Sequence, residues 1–406
     1  MNIQSKIKLK DFLFYIAITF YCADYYISAS LFDYKVPNIL SLLLQIVVLI
    51  CLVIKWIFTE RYTWKKLVAV FVIIISAGIV AFTGQYNSLL LFMCLVMSSS
   101  NIEFDEIIKL LEINVWFWMI LIILSCKVGL LQDYTYAHYT GNILYTAHSL
   151  GFKYYGWVGY GIMALSMMWI YRHKGANFVQ TALIIGLNYV FYRIHTTNLA
   201  FIITALFAVM CYCTEKLKIV NLTSKIWKVI ACAMPCALYS LTWITIWLYK
   251  SGKVLFLIPI LRTIVARLKY SIKALDIYGL HIFGTHVTQI GNVEINYQNV
   301  SSTNAIYIDS GFVYSTIAYG ILFTIVLLVI YTWLGVYLYK NNQRILYIWL
   351  SIMMVACCIN NFMCDIINNP IIFLLPSAVF SAKKTKKRKE HFKKKKIKMM
   401  QSKLNI

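Results

Sequence analysis

The sequence predicts an all-α, multi-span membrane protein, and three observations carry that prediction. Apolar residues make up 61% of the chain and charged ones only 13%, against roughly 25% charge in soluble domains. The apolar residues fall in runs close to the ~20 residues that a helix needs to cross hydrocarbon. The charges collect between those runs. A net charge of +23 would point to nucleic acid in a soluble protein. Here most of the excess sits in 383–403 and the rest in short clusters between runs, the pattern of topology signals. No nucleic-acid partner is expected.

Twelve spans can be read in order. The first, 12–32, follows Lys6, Lys8 and Lys10 and reads as a retained span rather than a cleaved signal peptide. Asp33, Lys35 and Pro37 turn the chain into 39–58, near whose end Lys55 can snorkel. Span 67–83 follows Arg61, Lys65 and Lys66, and Gly84 to Asn87 closes it. The short run 88–100 is fourth. Glu103, Asp105, Glu106, Lys109 and Glu112 make a polar link to 113–131. Next come 156–171, 178–192 and 196–213, with Arg193 and His195 in the turn between the last two. Span 226–249 carries Pro235, a kink signal. Spans 311–334, 345–363 and 369–381 complete the set.

Charge parity orients them. With the amino terminus in the cytoplasm, the inner loops receive Arg61, Lys65, Lys66, Lys109, Arg172, Lys174, Lys216 to Lys228, Lys340 and Arg344. The outer short loops receive little beyond Lys35 and Lys153, which is the positive-inside pattern with both termini cytoplasmic. A membrane domain, 1–382, is then followed by a basic cytoplasmic tail, 383–406, that reads as a solvated anchor or a ligand for anionic lipid. Loops 132–155 and 250–310 face outward. Of eleven cysteines, nearly all lie in apolar runs and none in 250–310, so they read as packing residues with no disulfide framework.

The outer loop 250–310 is where chemistry can be built. Residues 260–278 scan as an amphipathic helix, with Leu261, Ile264, Val265, Leu268, Ile272 and Leu275 on one side. Arg262, Lys269 and Lys273 share a second side. Arg267 stands apart, beside Ser271 and Tyr278, which makes it the better site candidate; the plainer reading of the others is contact with lipid headgroups. Then come Tyr278, Gly279, His281, Gly284 and His286, where glycines signal close backbone approach. Either histidine suits a general base, or a simple hydrogen-bonding role. No carboxylate follows at a metal-site spacing, so no metal or cofactor is expected. Asp309 stands before span 311–334, placed either to cap the helix or to act. Asp24, within the first span, is an intramembrane acid whose plain role is an interhelical hydrogen bond to a tyrosine.

Arginines converging at the outer membrane level suit a diphosphate, because the guanidinium fork binds phosphate oxygens bidentately and keeps its charge. The chain has no Gly-rich phosphate loop, Walker lysine or Asp-x-Asp pattern, so an anionic lipid-linked substrate fits better than a nucleotide.

Three stretches resemble a known family. Ala266-Arg267, Tyr278-Gly279 and Phe283-Gly284 occur in the order of its outer loop. IYIDSGFVYSTIAYGIL (306–322) is similar to its Asp-then-Tyr-Gly entry into the next span, and HSLGFKYYG (148–156) to its Leu-Gly-Phe segment. The family is that of the Wzy-type oligosaccharide repeat-unit polymerases of capsule, exopolysaccharide and O-antigen assembly, related to the O-antigen ligases. Thr197-Asn198 stands where the family often has Ser-Arg, and Phe312 where tyrosine is common. The resemblance implies an inverting, metal-independent glycosyltransferase of the bacterial plasma membrane. It would pass a glycan from undecaprenyl diphosphate to a lipid-linked repeat unit, with a flippase and a chain-length regulator as partners. Arg267, then Arg262 and Arg193, would hold the leaving diphosphate, and His281, His286 or Asp309 would be the base. Lys273, His195, Tyr278 and His148 complete the substrate-binding candidates. A flippase should place its charges within the spans and a transporter should show paired broken spans; an O-antigen-ligase-like transferase stays open.

Overall fold

The computed structural model describes residues 3–59, 64–140, 143–218, 224–253, 262–289 and 306–380. The basic tail and Glu294 lie outside them. All twelve apolar runs become helices: α1 (Ile3–Ala29), α2 (Asn38–Thr59), α3 (Trp64–Gly84), α4 (Asn87–Ser98), α5 (Phe104–Lys127), α6 (Gly156–Arg172), α7 (Phe178–His195), α8 (Asn198–Cys211), α9 (Lys225–Lys250), α11 (Gly311–Lys340), α12 (Arg344–Ala356) and α13 (Pro370–Val379). Among the described residues, 7 helices are long and apolar enough to cross a membrane: α1, α2, α3, α5, α8 with its π-type extension, α9 and α11. The others are shorter or less apolar. The chain is thus a mostly helical membrane protein.

Two elements refine the all-α expectation. The loop 132–155 folds into an antiparallel hairpin, β1 (Thr135–Thr140) with β2 (Ile143–His148), in which Thr135 faces His148. The amphipathic run of the outer loop becomes α10 (Arg262–Tyr278). Its Val265, Ser271 and Ala274 are buried, and Leu268, Ile272 and Leu275 pack against a small core made with Ile246 of α9, Val287 and the start of α11.

Burial departs from the single-span pattern in two helices. Nine of the twelve residues of α4 are buried, because the helix is enclosed by protein rather than lipid. Lys55 does not snorkel: it is fully buried and donates to the Ser98 carbonyl at the end of α4. Lys66 is buried too, with Nζ 3.0 Å from Ser100 Oγ. A helix carboxyl end with its unpaired carbonyls draws cations inward more strongly than the headgroups draw them out. Asp24 finds its interhelical partners in α2, where Ser41 and Gln45 donate to it, rather than in a tyrosine.

α11 positions the site. It is not continuous: a π-type turn spans Ser315–Tyr319, and Gly320 has φ 86°. Such a break frees backbone groups that must be paired elsewhere. Residues 279–289 supply the partners. Ile321 N donates to the His281 carbonyl (3.1 Å), Leu322 N to that of Ile282 (3.1 Å), and Thr285 N to that of Ala318 (3.2 Å). Gly284 has φ 83°; a Cβ there would strike the Ala318 carbonyl oxygen, and one on Gly320 would strike Gly284 N. The expected close approach of a glycine is therefore to the broken helix.

Candidate functional site

A cavity of about 260 Å³ opens where six parts of the chain meet, Gln289 of the segment 279–289 among them. α10 contributes Arg267. The stretch leading into α11 contributes Tyr307 and Asp309. The connector 357–369 contributes Asn360, Phe362, Cys364, Asp365 and Asn368. Tyr154, Trp157 and Tyr160 come from the entry to α6, and Tyr25 from α1.

Local sequence explains how each group is aimed. Arg267 sits one turn before buried Ser271, so its side chain leaves α10 at the edge of the apolar face. It reaches over to Asp309, with Nε 3.3 Å from Oδ2, and its Nη1 donates to the Ile359 carbonyl at 2.6 Å. Asp309 is free for that pairing because the next residue does the capping: the Ser310 hydroxyl accepts from Val313 N. Of the two roles open to Asp309, the helix cap has gone to Ser310. The connector is stitched to this same point, since Gly311 N donates to the Cys357 (2.9 Å) and Asn360 (3.2 Å) carbonyls.

Asp365 faces the cavity from the connector. Its Oδ1 accepts from Ile367 N (2.8 Å) and Asn368 N (3.0 Å), and its Oδ2 from Asn368 Nδ2 (2.7 Å) and the Tyr25 hydroxyl (3.1 Å). Four donors on two oxygens fill a carboxylate's lone pairs and describe the ionised form, which only accepts. Burial pushes the carboxyl up from its ordinary value, and the donors from Asn368, Ile367 and Tyr25 oppose that. Burial also pushes Asp309 up, and the Arg267 charge pulls it back. Asp309 shows one charged partner and is the more available of the two as a proton acceptor.

Of the described catalytic and substrate-binding candidates, only Arg267 and Asp309 line this cavity, joined by Tyr154, Tyr307, Ile308 and Tyr319 from the stretches 148–156 and 306–322. His281 is exposed and gives Nε2 to the Tyr278 carbonyl at 2.8 Å, outside the cavity wall. His281 thus stands outside the hollow that Arg267 lines, and the backbone of its strap, 279–289, is committed to α11. His286 gives Nδ1 to the Gly84 carbonyl (3.0 Å), and the Tyr278 hydroxyl accepts from Thr288 N (3.2 Å). Lys273 is half-buried on α10, away from the cavity lining. Arg262 begins α10, and its side chain lies outside the described residues.

Of the remaining three, His148 and His195 form a second cluster at the foot of the hairpin. His148 Nδ1 is 2.7 Å from Asp133 Oδ2, and buried His195 bonds through Nδ1 to the His148 carbonyl (3.0 Å). Arg193 is exposed nearby in the last turn of α7.

Sequence reasoning missed Asp365, Tyr25 and the connector amides. A signal was present: Asn360, Asn361, Asp365, Asn368 and Asn369 crowd a short gap between two apolar runs. Comparison with protein-family models, curated proteins and solved structures gives no match. Geometry therefore carries the functional reading. A guanidinium beside a buried carboxylate, walled by aromatic rings and amides, can hold a leaving anion, accept a proton and grip a polyhydroxylated ring.

Proposed function

We propose that the chain is a glycosyltransferase of the bacterial plasma membrane, a polymerase that moves a glycan from undecaprenyl diphosphate onto a lipid-linked repeat unit. One observation carries the reading: Arg267 and Asp309 meet at the rim of an aromatic and amide-lined cavity. Twelve spans with both termini in the cytoplasm would put every wall of that cavity on the outer side, where such a carrier presents its glycan. Tyr25 lies near the outer end of the first span, 154–160 at the sixth, 307–309 before the tenth and 360–368 between the last two.

The chemistry follows from the pair. The acceptor hydroxyl gives its proton to Asp309, and its oxygen attacks the anomeric carbon from the face opposite the diphosphate. The bond from that carbon to the diphosphate oxygen breaks, and its electron pair leaves with the lipid diphosphate. Protonation neutralises Asp309 and ends its hold on Arg267 at the moment when charge grows on the leaving group. Arg267 then faces that charge with a preorganised donor. No metal or cofactor enters this reading. A flippase to supply the substrate and a chain-length regulator are the partners it calls for.

The test is purified chain in lipid with a synthetic lipid-linked repeat unit. A ladder of products supports the polymerase. A single transfer to an unrelated acceptor moves the assignment to a ligase-like transferase, and absence of any transfer removes it.

A further inference from the structure

Charge and unsatisfied polar groups narrow what the cavity interior can hold. Among the described lining residues, Arg267 is the one cation; it is paired with Asp309, and Asp365 is a second carboxylate of the lining. With both carboxylates ionised, the lining holds one negative charge more than positive, which disfavours an anionic ring.

Two polar atoms of lining residues lack partners within the protein. Asn360 Nδ2 and Asn368 Oδ1 are buried and make no hydrogen bond. Asn368 is 2% exposed, and its orientation is set by the bond from its Nδ2 to Asp365. One atom is a donor and the other an acceptor. Leaving them unpaired costs roughly 1–3 kcal/mol each; both lie just beneath the lining, and a small side-chain shift would let a hydroxyl, which both gives and takes hydrogen bonds, pair with them. Trp157, Tyr154 and Phe362 also line the cavity, and aromatic side chains of this kind suit the C–H side of a ring. A volume of about 260 Å³ falls below the ~300–1,000 Å³ of sites for drug-sized ligands, so the cavity suits one ring rather than a repeat unit.

We infer that this cavity is the subsite for a single uncharged sugar ring, and that it discriminates against uronic acids. Within the transferase reading, on which the word acceptor rests, the ring belongs to the acceptor glycan. The donor's diphosphate stays at the Arg267 rim.

The test uses Trp157, which lines the cavity. Full-length protein in nanodiscs is titrated with each glycoside, and binding is read from the change in tryptophan fluorescence, with Trp157→Phe as the control. Methyl glycosides of glucose, galactose and N-acetylglucosamine are compared with methyl glucuronide and methyl galacturonide. At least one neutral glycoside should bind at least fivefold more tightly than its uronate. Asp309→Asn, which removes one negative charge, should narrow that gap. Equal or tighter binding of the uronates, or no binding of any neutral glycoside, overturns the inference. The assay needs no turnover. Selectivity without a product ladder would count against the transferase alone; a ladder without selectivity would count against the subsite alone.

Discussion

Charge is withdrawn from solvent in two regions of this molecule, fully in one and partly in the other, and only the second has the makings of a site. At the end of α4, Lys55 and Lys66 reach the Ser98 carbonyl and the Ser100 hydroxyl, and Lys55 lies 5.9 Å over the Phe14 ring. Their donors meet protein acceptors within packed side chains. At the cavity, Arg267, Asp309 and Asp365 surround open space, and two amide atoms beside them lack partners. Burial of charge is therefore a weak sign of function; burial combined with room and unsatisfied hydrogen bonding is a stronger one.

The largest effect that would sharpen this contrast is at the base. Asp309→Asn should slow transfer by about 10²–10⁴-fold, the usual worth of general-base catalysis, while membrane yield holds. A variant that forms a full ladder would break the assignment. The same carboxylate sets a pH dependence. Burial raises its pKa above the ordinary 3.8, so the acid limb of the rate profile should lie above that value and vanish in Asp309→Asn. The sign for stability is opposite to that of a paired surface aspartate. The group favours the folded state most below 3.8, and that contribution fades as pH rises through the raised pKa.

Arg267→Ala comes next, with a loss of about 10²–10³-fold from removing a preorganised donor. Arg267→Lys should recover only part of it, since an ammonium lacks the fork that spans Asp309 and the Ile359 carbonyl. Both are read from ladder formation at matched protein amounts.

Gly284→Ala separates scaffold from chemistry. A Cβ there collides with the Ala318 carbonyl oxygen at a positive φ, so a cost of roughly 2 kcal/mol and a lower melting temperature are expected. Lys55→Met tests the packed region. It should cost about 1–3 kcal/mol for the Ser98 carbonyl left bare, yet leave the rate of the folded fraction unchanged. A Lys55 variant that is stable but inactive would dissolve the contrast between the two regions. The smallest effect belongs to His281→Ala. Its ring holds only the Tyr278 carbonyl, so transfer should stay within about threefold of the parent.

Much of this was legible residue by residue. Apolar run length located the helices, because transfer of a side chain into hydrocarbon is a local property. Helical period set Arg267 apart from Lys269 and Lys273, and the structure pairs it with Asp309 in the cavity lining. The glycine at 284 announced a close backbone approach, while Gly279 supplies only a positive φ. What Gly284 approached was not legible. The histidines drew attention by chemical type, but their rings are spent on the Tyr278 and Gly84 carbonyls.

The chain's own order of residues thus settled which segments leave water and which polar groups stand near their ends. Folding alone settled who meets whom: Tyr25 and Asp365, 340 positions apart, share a hydrogen bond, and Asp309 and Asp365 share a hollow. Hydrophobic periodicity says that a face will be covered, yet many helices could cover it equally well. The partner is chosen by the packing of the whole bundle, where a break in α11 and the strap that fills it bring α10, the connector and α6 around one space.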